Sequence, residues 1–371
     1  MRTGMSLCVW FLFVSFQSVA QPAYYHYEFS SQDQIFYIDL ITSDSSGHLT
    51  FNASFLTHPA LLDGKIDPKT GEWQFASYRE DEIKLHFRLI NKELEGLGME
   101  NRVGETFVLP KPALVWNKGN VPFKMHYFKS KQKLFPEFKD SPAAFFDFLF
   151  PDPQWAIDPN VNDSIRKALL KIYIGEEIYP KQATTAINSY IHALGRQYQE
   201  DYRDMFDSAG FNELLNHEFT VYPNILCNTG FILTIGINKY VYSGGAHGLE
   251  AEQFVNLNLK NGKNYSINDL FNTENRFIAG KLQQLIHSKL KEQFGLKENQ
   301  KLTEAGFFDD KIDLPAEFFI TPLGIGFYYN VYEIAPYAMG PVSVFLRWNE
   351  VKGLMGESFW ILPTEFLSQM R

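Results

Sequence analysis

The residues best suited to chemistry lie in two short segments of the sequence. The first, residues 242–248, combines three glycines with one histidine, His247. Its glycines predict a sharp turn with positive φ, which glycine adopts at no steric cost. His247 could act there as a general base beside a carboxylate such as Glu333. It could instead hold the turn by bonding to a carbonyl or a carboxylate, and the glycine pattern favours that structural role.

The second segment, residues 326–340, contains four tyrosines and one glutamate. Tyrosine presents an apolar ring face and a polar tip, so the segment could be an aromatic platform for a sugar or a protein partner. It could equally be a long connection held by tyrosine hydroxyls and by Glu333, and both interpretations stay open. The candidate ligand-binding residues of the two segments are Tyr242, His247, Tyr329, Tyr332, Glu333 and Tyr337.

Several common catalytic motifs are missing from the sequence. Without G-x-S-x-G there is no nucleophile elbow, and without H-E-x-x-H there is no zinc-protease helix. The nine histidines are scattered singly and no cysteine cluster accompanies them, so we expect no metal site. Glycine-rich phosphate-binding loops are also missing. We therefore predict no cofactor and no catalytic residues.

Composition and charge restrict the partners of the chain. The formal net charge is −9, from 34 basic and 43 acidic residues, and lysine and arginine form no runs. This argues against nucleic acid or an anionic membrane as the main partner. The 371 residues predict two or three domains, and the 34 phenylalanines and 19 tyrosines favour β-strands.

Residues 1–20 have the pattern of a secretory signal peptide. Arg2 is followed by a short apolar run and then by small residues ending at Ala20. The run is about half the length of ~20 residues that a membrane-spanning helix needs. We therefore expect cleavage before Gln21, a periplasmic or secreted protein, and no membrane span in the mature chain. No cysteine stands at the cleavage point to carry a lipid, and the remaining Cys227 should be a buried core thiol.

The rest of the pattern predicts an α+β fold. Residues 21–135 have successive short strands with turns, which indicates an antiparallel barrel or sandwich. Residues 136–160 are rich in proline and phenylalanine and are interpreted as a junction, with a partner-binding patch as the alternative. Residues 161–245 form a first α+β domain with two amphipathic helices. Residues 246–353 form a second one with a further helix and closing strands, and residues 354–371 form a C-terminal tail.

Around the two candidate segments the chain resembles a known extracellular domain pair. That pair occurs in the RsiV-type anti-sigma factor that senses lysozyme, and ahead of the catalytic domain in the PdaC-type peptidoglycan deacetylase. The resemblance rests on residues 242–248, 256–263, 269–271 and 328–340, with the helix opening at Tyr179-Pro180 fitting the preceding domain. It covers roughly residues 155–352. The chain departs from the pattern at Val331, where proline is expected before Tyr332.

The resemblance implies an α+β fold and a binding role outside the cytoplasm. Neither a deacetylase domain nor a sigma-binding segment is visible, so we expect neither deacetylation nor anti-sigma signalling. The prediction is a non-catalytic envelope protein that binds or senses peptidoglycan or a glycan-cleaving enzyme such as lysozyme. The alternatives are an envelope hydrolase that uses His247 with a nearby carboxylate, and a structural or assembly component.

Overall fold

The computed structural model of the chain describes residues 21–31, 34–77, 83–101, 103–117, 119–154, 158–175, 182–205, 213–357, 362–364 and 366. The predicted signal peptide lies outside these residues, as do part of the predicted tail and the Tyr179-Pro180 pair. The fold class is α+β, as predicted, with one large curled antiparallel sheet, two smaller sheets and a few helices.

Nine strands form the curled sheet of the N-terminal part. Their bounds are β1 (Ala23–Ser31), β2 (Gln34–Thr42), β3 (Ser46–Ala53), β4 (Ala60–Ile66), β5 (Glu72–Ser77), β6 (Lys84–Ile90), β7 (Glu93–Glu100), β8 (Thr106–Val108) and β9 (Ala113–Leu114). Strands β1 to β8 are antiparallel neighbours in chain order, and β9 pairs with the other edge of β1. In β6, Leu85 and Phe87 are buried while Lys84 and Arg88 are exposed, the alternation of a strand with one solvent-facing side. The region is therefore one curled sheet instead of a sandwich of two.

Five strands form a middle sheet. In their order across the sheet, they are β10 (Phe123–Lys133), β11 (Ala143–Pro153), β12 (His217–Thr229), β13 (Ile232–Tyr242) and β14 (Leu249–Asn258). Strands β11 and β12 are parallel, and the other neighbours are antiparallel. Parallel neighbours need a long crossover connection, and helices α1 (Pro159–Ile174) and α2 (Ala183–Tyr202) lie in it.

The two faces of the middle sheet have different surroundings. Phe146, Phe148 and Ile235 are buried in one core with the apolar sides of α1 and α2. Because successive side chains alternate between faces, Asp147 and Tyr222 point to the opposite side. We call this side the open face and define it by residues 145, 147, 220, 222 and 240. Their side chains are half-buried or exposed, which leaves part of this sheet surface accessible.

Residues 136–160, which the sequence predicts to be a junction, contain regular structure. They include β11, which lies inside the middle sheet between β10 and β12. Pro151 and Pro153 occupy the last positions of this strand, where lost backbone donors matter least. The middle sheet also crosses the predicted domain limit at residues 245 and 246, because β13 and β14 pair along their length. The division into domains stays a prediction.

The C-terminal part is a smaller α+β unit. Its elements are α3 (Ile267–Leu270), α4 (Arg276–Gln293), β15 (Glu317–Ile320), β16 (Gly324–Tyr329), β17 (Val342–Arg347) and α5 (Trp348–Met355). The three strands form an antiparallel sheet in chain order. The apolar stripe of α4, made of Leu282, Ile286 and Leu290, is buried in the same core as this sheet. The helix and the closing strands are therefore where the sequence pattern predicts them.

Two smaller predictions concern the membrane and the remaining cysteine. Among the described residues, no helix combines the length and the apolar character that crossing a bilayer requires. Cys227 is buried at 1% exposure, as predicted, and its thiol lies 3.6 Å from the carbonyl oxygen of Ile232. Burial raises the pKa of this thiol well above its ordinary value, so Cys227 is an unreactive core residue.

Candidate functional site

The glycine-rich segment forms the bend between β13 and β14. Gly244 has a φ of 90° and Gly245 a φ of 98°, so the predicted positive φ is confirmed. A Cβ atom on Gly244 would also lie only 2.7 Å from the carbonyl oxygen of Leu214. The hydroxyl of Tyr242 donates to the carbonyl of Gly245 at 3.1 Å and closes the bend. Backbone conformation therefore requires both glycines, and lack of space is a second requirement at Gly244 alone.

The tyrosine-rich segment leaves β16 and turns sharply at residues 330–333. Tyr332 has a φ of 67°, a conformation that costs a non-glycine residue some backbone strain. The carboxylate of Glu333 accepts a hydrogen bond from the backbone N–H of Asn330 at 2.9 Å. Glu333 N–H in turn donates to the carbonyl of Asn330 at 3.1 Å. Glu333 therefore holds this turn and places Tyr332 at its exposed tip.

The bend and the turn meet in a group of three rings, His247, Tyr337 and Tyr332, which we call the Tyr337 stack. The rings of His247 and Tyr337 are stacked, with centroids 4.0 Å apart and planes at 15°. Tyr332 lies 5.6 Å from Tyr337 and is tilted by 34°. Tyr332 is 51% exposed, and the His247 side chain is exposed as well. The result is an accessible aromatic surface built from residues about 90 positions apart.

A single carbonyl, that of Gly248, fixes two of these rings. It accepts from the Tyr337 hydroxyl at 3.2 Å and lies 3.0 Å from Nδ1 of His247. Since a carbonyl only accepts, Nδ1 carries the proton in this arrangement. Gly248 itself is buried, and a Cβ there would lie 2.3 Å from the ring of Tyr240. Hydrogen bonding of His247 to a carbonyl is the structural role that the glycine pattern favours.

The six predicted ligand-binding residues do not all lie in the Tyr337 stack. Glu333 is exposed beside it, and the half-buried Tyr242 serves the glycine bend. Tyr329 is only 2% exposed, and its hydroxyl donates to the carbonyl of Asp313 at 2.9 Å. Burial above all, with the charges of Glu333 and Asp313, raises the pKa of Tyr329. Tyr329 is thus packed in the core and contributes no surface to the stack.

The hydrolase alternative requires His247 and a carboxylate to share a hydrogen bond. In the structure, Nδ1 of His247 faces the carbonyl of Gly248, and the Glu333 carboxylate accepts from the backbone N–H of Asn330. Within the described residues, no carboxylate oxygen comes within 4.0 Å of the His247 ring nitrogens, and no group of three or more potential ligands could hold a metal ion. The bonds of His247 and Glu333 therefore hold the bend and the turn in place. They do not pair His247 with a carboxylate as a general base would require.

Side chains also join the edge of the middle sheet to the C-terminal unit, which sequence reasoning missed. Three alternate N–H groups of β14 each donate to a side chain: Glu252 to Asn330 (2.7 Å), Phe254 to Glu317 (2.8 Å) and Asn256 to Asn264 (3.0 Å). An edge strand otherwise leaves such groups unpaired. The Asn330 amide also donates to the carbonyl of Glu252 at 3.1 Å, which anchors the tyrosine-rich turn. No spacing in the sequence connects β14 with Asn330 or Glu317, since these contacts depend on which edges meet.

A family of known proteins matches this C-terminal part. Residues 268–349 match the family described as "Protein of unknown function (DUF3298)". The chain therefore contains a DUF3298 domain, which includes α4, the three-stranded sheet and the tyrosine-rich turn. His247 lies outside the matched residues, in the bend before β14, so the Tyr337 stack combines the domain with the preceding sheet.

Three relatives extend this result. The peptidoglycan-N-acetylmuramic acid deacetylase PdaC of Bacillus subtilis (strain 168) is 22% identical over 175 residues, which are 47% of this chain and 36% of the deacetylase. The chain thus spans about a third of that protein's length. A solved DUF3298 family structure from Bacteroides fragilis has a TM-score of 0.61 and 24% identity, and covers 68% of this chain and 100% of its own. A solved structure of a DUF3298 family protein from Pseudomonas aeruginosa PAO1 has a TM-score of 0.45 and 14% identity. It covers 67% of this chain and 99% of its own.

These relatives bear on the predicted resemblance in part. The similarity to a PdaC-type deacetylase is confirmed as a distant one, and the Bacteroides fragilis structure shares the fold. The resemblance to an RsiV-type anti-sigma factor stays a prediction.

Proposed function

We propose that this protein is an exported cell-envelope binding protein that recognises a peptidoglycan glycan through the Tyr337 stack. The observation that carries the proposal is the exposed ring surface of His247, Tyr337 and Tyr332. Tyrosine rings offer apolar faces to the C–H groups of a sugar and hydroxyls to its polar groups. Hydrogen bonds to Gly248 hold two of the rings in advance, which reduces the entropy lost on binding.

Location and ligand class rest on two further supports. The predicted signal peptide directs the chain out of the cytoplasm. The name of the Bacillus subtilis relative states an activity on peptidoglycan N-acetylmuramic acid, and part of that protein is similar to this chain. The first supports a place of action outside the cytoplasm, and the second supports the cell envelope and a glycan ligand.

A second candidate is a basic protein partner, such as a glycan-cleaving enzyme of the lysozyme type. The observation that favours it is the charge around the Tyr337 stack, where Glu250 and Glu333 are both exposed. The whole chain also carries a net charge of −9. Exposed tyrosines are common at the centres of protein interfaces, and acidic rims steer basic partners.

The test is calorimetry and pull-down of the mature chain with soluble peptidoglycan fragments and, separately, with lysozyme. Tyr332→Ala is the first variant, because no hydrogen bond of the described structure uses its hydroxyl and folding should be retained. We expect at least about tenfold weaker binding, the loss of roughly 1.4 kcal/mol. Phe277→Ala is the matched control, since Phe277 is 67% exposed on α4, a helix that contributes no ring to the stack.

The outcomes separate the alternatives. Binding of fragments that Tyr332→Ala weakens supports the glycan, and the same pattern with lysozyme alone supports the protein partner. Absence of binding to both refutes the proposal. Release of soluble fragments from peptidoglycan by the wild type but not by His247→Ala would establish the hydrolase alternative instead. Recovery of the protein only in a stable assembly would favour the structural role.

A further inference from the structure

A second polar site lies between the N-terminal sheet and the middle sheet, away from the Tyr337 stack. A cavity of about 140 Å³ is enclosed by the β2–β3 hairpin on one side and by the open face on the other. His48 lines it from the hairpin, and Tyr127 and Tyr222 line it from the sheet. Ile41 and Leu149 supply apolar wall. The cavity therefore combines three hydrogen-bonding rings with a small apolar surface.

One carboxylate orients both tyrosine hydroxyls. Tyr222 donates to Oδ1 of Asp147 at 2.5 Å, and Tyr127 donates to Oδ2 of the same group at 3.0 Å. Burial first, and then the hydrogen bond and charge of Asp147, raises the pKa of Tyr222, so its proton stays in place. Because each hydroxyl proton is directed to Asp147, each oxygen can accept a further hydrogen bond, and Lys129 competes for the oxygen of Tyr127 only. Both tyrosines are therefore acceptors for a ligand.

A carboxylate orients His48 in the same way. Its Nδ1 bonds to Asp63, the residue directly opposite on the neighbouring strand β4. A carboxylate only accepts, so Nδ1 carries the proton, and in that tautomer Nε2 keeps a lone pair. The ring centroids of His48 and Tyr222 are 6.0 Å apart. A third acceptor thus stands beside the two hydroxyls.

We propose that this cavity binds one sugar unit, whose hydroxyls donate to Tyr127, Tyr222 and His48. An apolar ligand would leave the three acceptors without partners, and an anion would meet the lone pairs together with the carboxylates of Asp63 and Asp147. A cation is not needed, because Nζ of Lys129 already lies 3.6 Å from Asp147. Sugar hydroxyls supply the donors, and the C–H face of the ring matches aromatic and apolar walls.

The site does not depend on the function proposed for the Tyr337 stack. Both could contact one glycan, since Tyr222 and Tyr240 share the open face and Tyr240 packs under Gly248 at the bend. A substitution can also remove ligand binding at one site without affecting the other. The experiment is chosen to separate them.

The probes are glucose, galactose and N-acetylglucosamine, with butylammonium and acetate as charged comparisons. Binding to the full mature chain is followed by NMR, as shift changes at residues 43–48 and as saturation transfer to the probe. We expect at least one sugar to bind and neither charged probe to do so. Tyr222→Phe should weaken the sugar about tenfold, the effect of losing one buried hydrogen bond.

Matched variants make the result decisive. Tyr190→Phe, on half-buried Tyr190 of α2, is the control for loss of a tyrosine hydroxyl elsewhere. It should leave binding unchanged, as should Tyr332→Ala, which tests the Tyr337 stack. Tyr127→Phe gives a second reading if Tyr222→Phe unfolds, as judged by its melting temperature. The proposal is overturned if no sugar binds, if butylammonium binds instead, or if both phenylalanine variants bind like the wild type.

Discussion

His26 lies fully buried in the N-terminal sheet between two carboxylates. Its Nδ1 is 2.8 Å from Asp39, and its Nε2 is 3.0 Å from Glu28. Burial lowers the pKa of His26, but the charge and hydrogen bond of Asp39, with those of Glu28, raise it overall to about 9. Both nitrogens therefore donate, and the ring is an imidazolium at neutral pH. Asn228 and Thr229 of β12 extend this network into the middle sheet.

The first prediction concerns alkaline pH. The folded pKa of His26 is above the unfolded value of 6.5, so its stabilisation is complete below pH 6.5 and is lost as pH rises through 9. We expect the free energy of unfolding to fall by about 3 kcal/mol across that range. Urea titrations from about pH 6 to about pH 10 measure this fall.

The same network gives the opposite dependence at acid pH. Burial alone raises the pKa of Glu28, but hydrogen bonding and charge from His26, and a hydrogen bond from Thr229, lower it overall. Its stabilisation is present above the ordinary value of 4.5 and is lost as pH falls through the lowered pKa.

The His26→Gln variant is the control for the alkaline prediction, and it should lose the alkaline slope. An NMR titration that places the His26 midpoint near 6.5 would contradict the assignment.

At the scale of elements, the glycine bend allows a matched comparison. Gly244 and Gly245 both have φ in the left-handed half of the map, but only Gly244 also lies against the carbonyl of Leu214. We expect Gly245→Ala to cost about 1–2 kcal/mol from backbone strain and Gly244→Ala clearly more, because its methyl group displaces a neighbour. Chemical unfolding of the two variants measures the difference. Equal costs would mean that the contact with Leu214 is easily relaxed.

The joint between β14 and β15 provides the next prediction. Asn256 is 2% exposed; its amide donates to Phe318 O at 2.8 Å and accepts from Ile320 N at 2.9 Å. Its side-chain oxygen also accepts from the Thr234 hydroxyl at 3.0 Å, so removing it leaves two buried donors and one buried acceptor without this partner. We expect Asn256→Ala to lower the free energy of unfolding by about 2–4 kcal/mol. Asn188→Ala, at an exposed position of α2, should change it by less than about 0.5 kcal/mol, and a similar loss in both variants would argue against the joint.

At the scale of the whole molecule, one arginine links the C-terminal unit to the N-terminal sheet. Arg347, the last residue of β17, donates to the carbonyls of Leu56 at 2.8 Å and Ser54 at 3.1 Å. Lysine cannot reproduce this planar fork. We expect Arg347→Lys to lose about 1 kcal/mol and to speed amide hydrogen exchange at residues 53–57.

Arg276→Lys is the matched control, because Arg276 is exposed at the start of α4. Exchange at residues 53–57 should be unchanged in that variant. If Arg347→Lys also leaves exchange unchanged, the contact does not couple the C-terminal unit to the N-terminal sheet.

How far the fold follows from the sequence differs between elements. The stripe of α4 and the alternation of β6 are local patterns that can be recognised in the sequence, because burial on one side imposes its period on the residues. Strand β11 was missed because its prolines resemble a linker. A strand at the centre of a sheet is identified by its neighbours, and the parallel neighbour β12 comes about 70 residues later.

The candidate site follows the same division. Residue types and glycine spacing were enough to predict a turn with positive φ and an aromatic segment. The sequence could not distinguish Tyr337, which stacks on His247, from Tyr329, which is core. It also contained no signal for His48, Asp63, Tyr127, Asp147 and Tyr222, which come from five strands of two sheets.

By itself, the sequence determined what each segment can do locally: which residues alternate as strands, which form an amphipathic helix, and where only glycine fits. Such properties depend on neighbours within a few positions. The tertiary structure alone decided that His247 stacks on Tyr337, that Asn330 hydrogen-bonds to β14, and that a cavity lies between two sheets. These contacts depend on which edges and faces meet in space, and that is set by the packing of the whole chain.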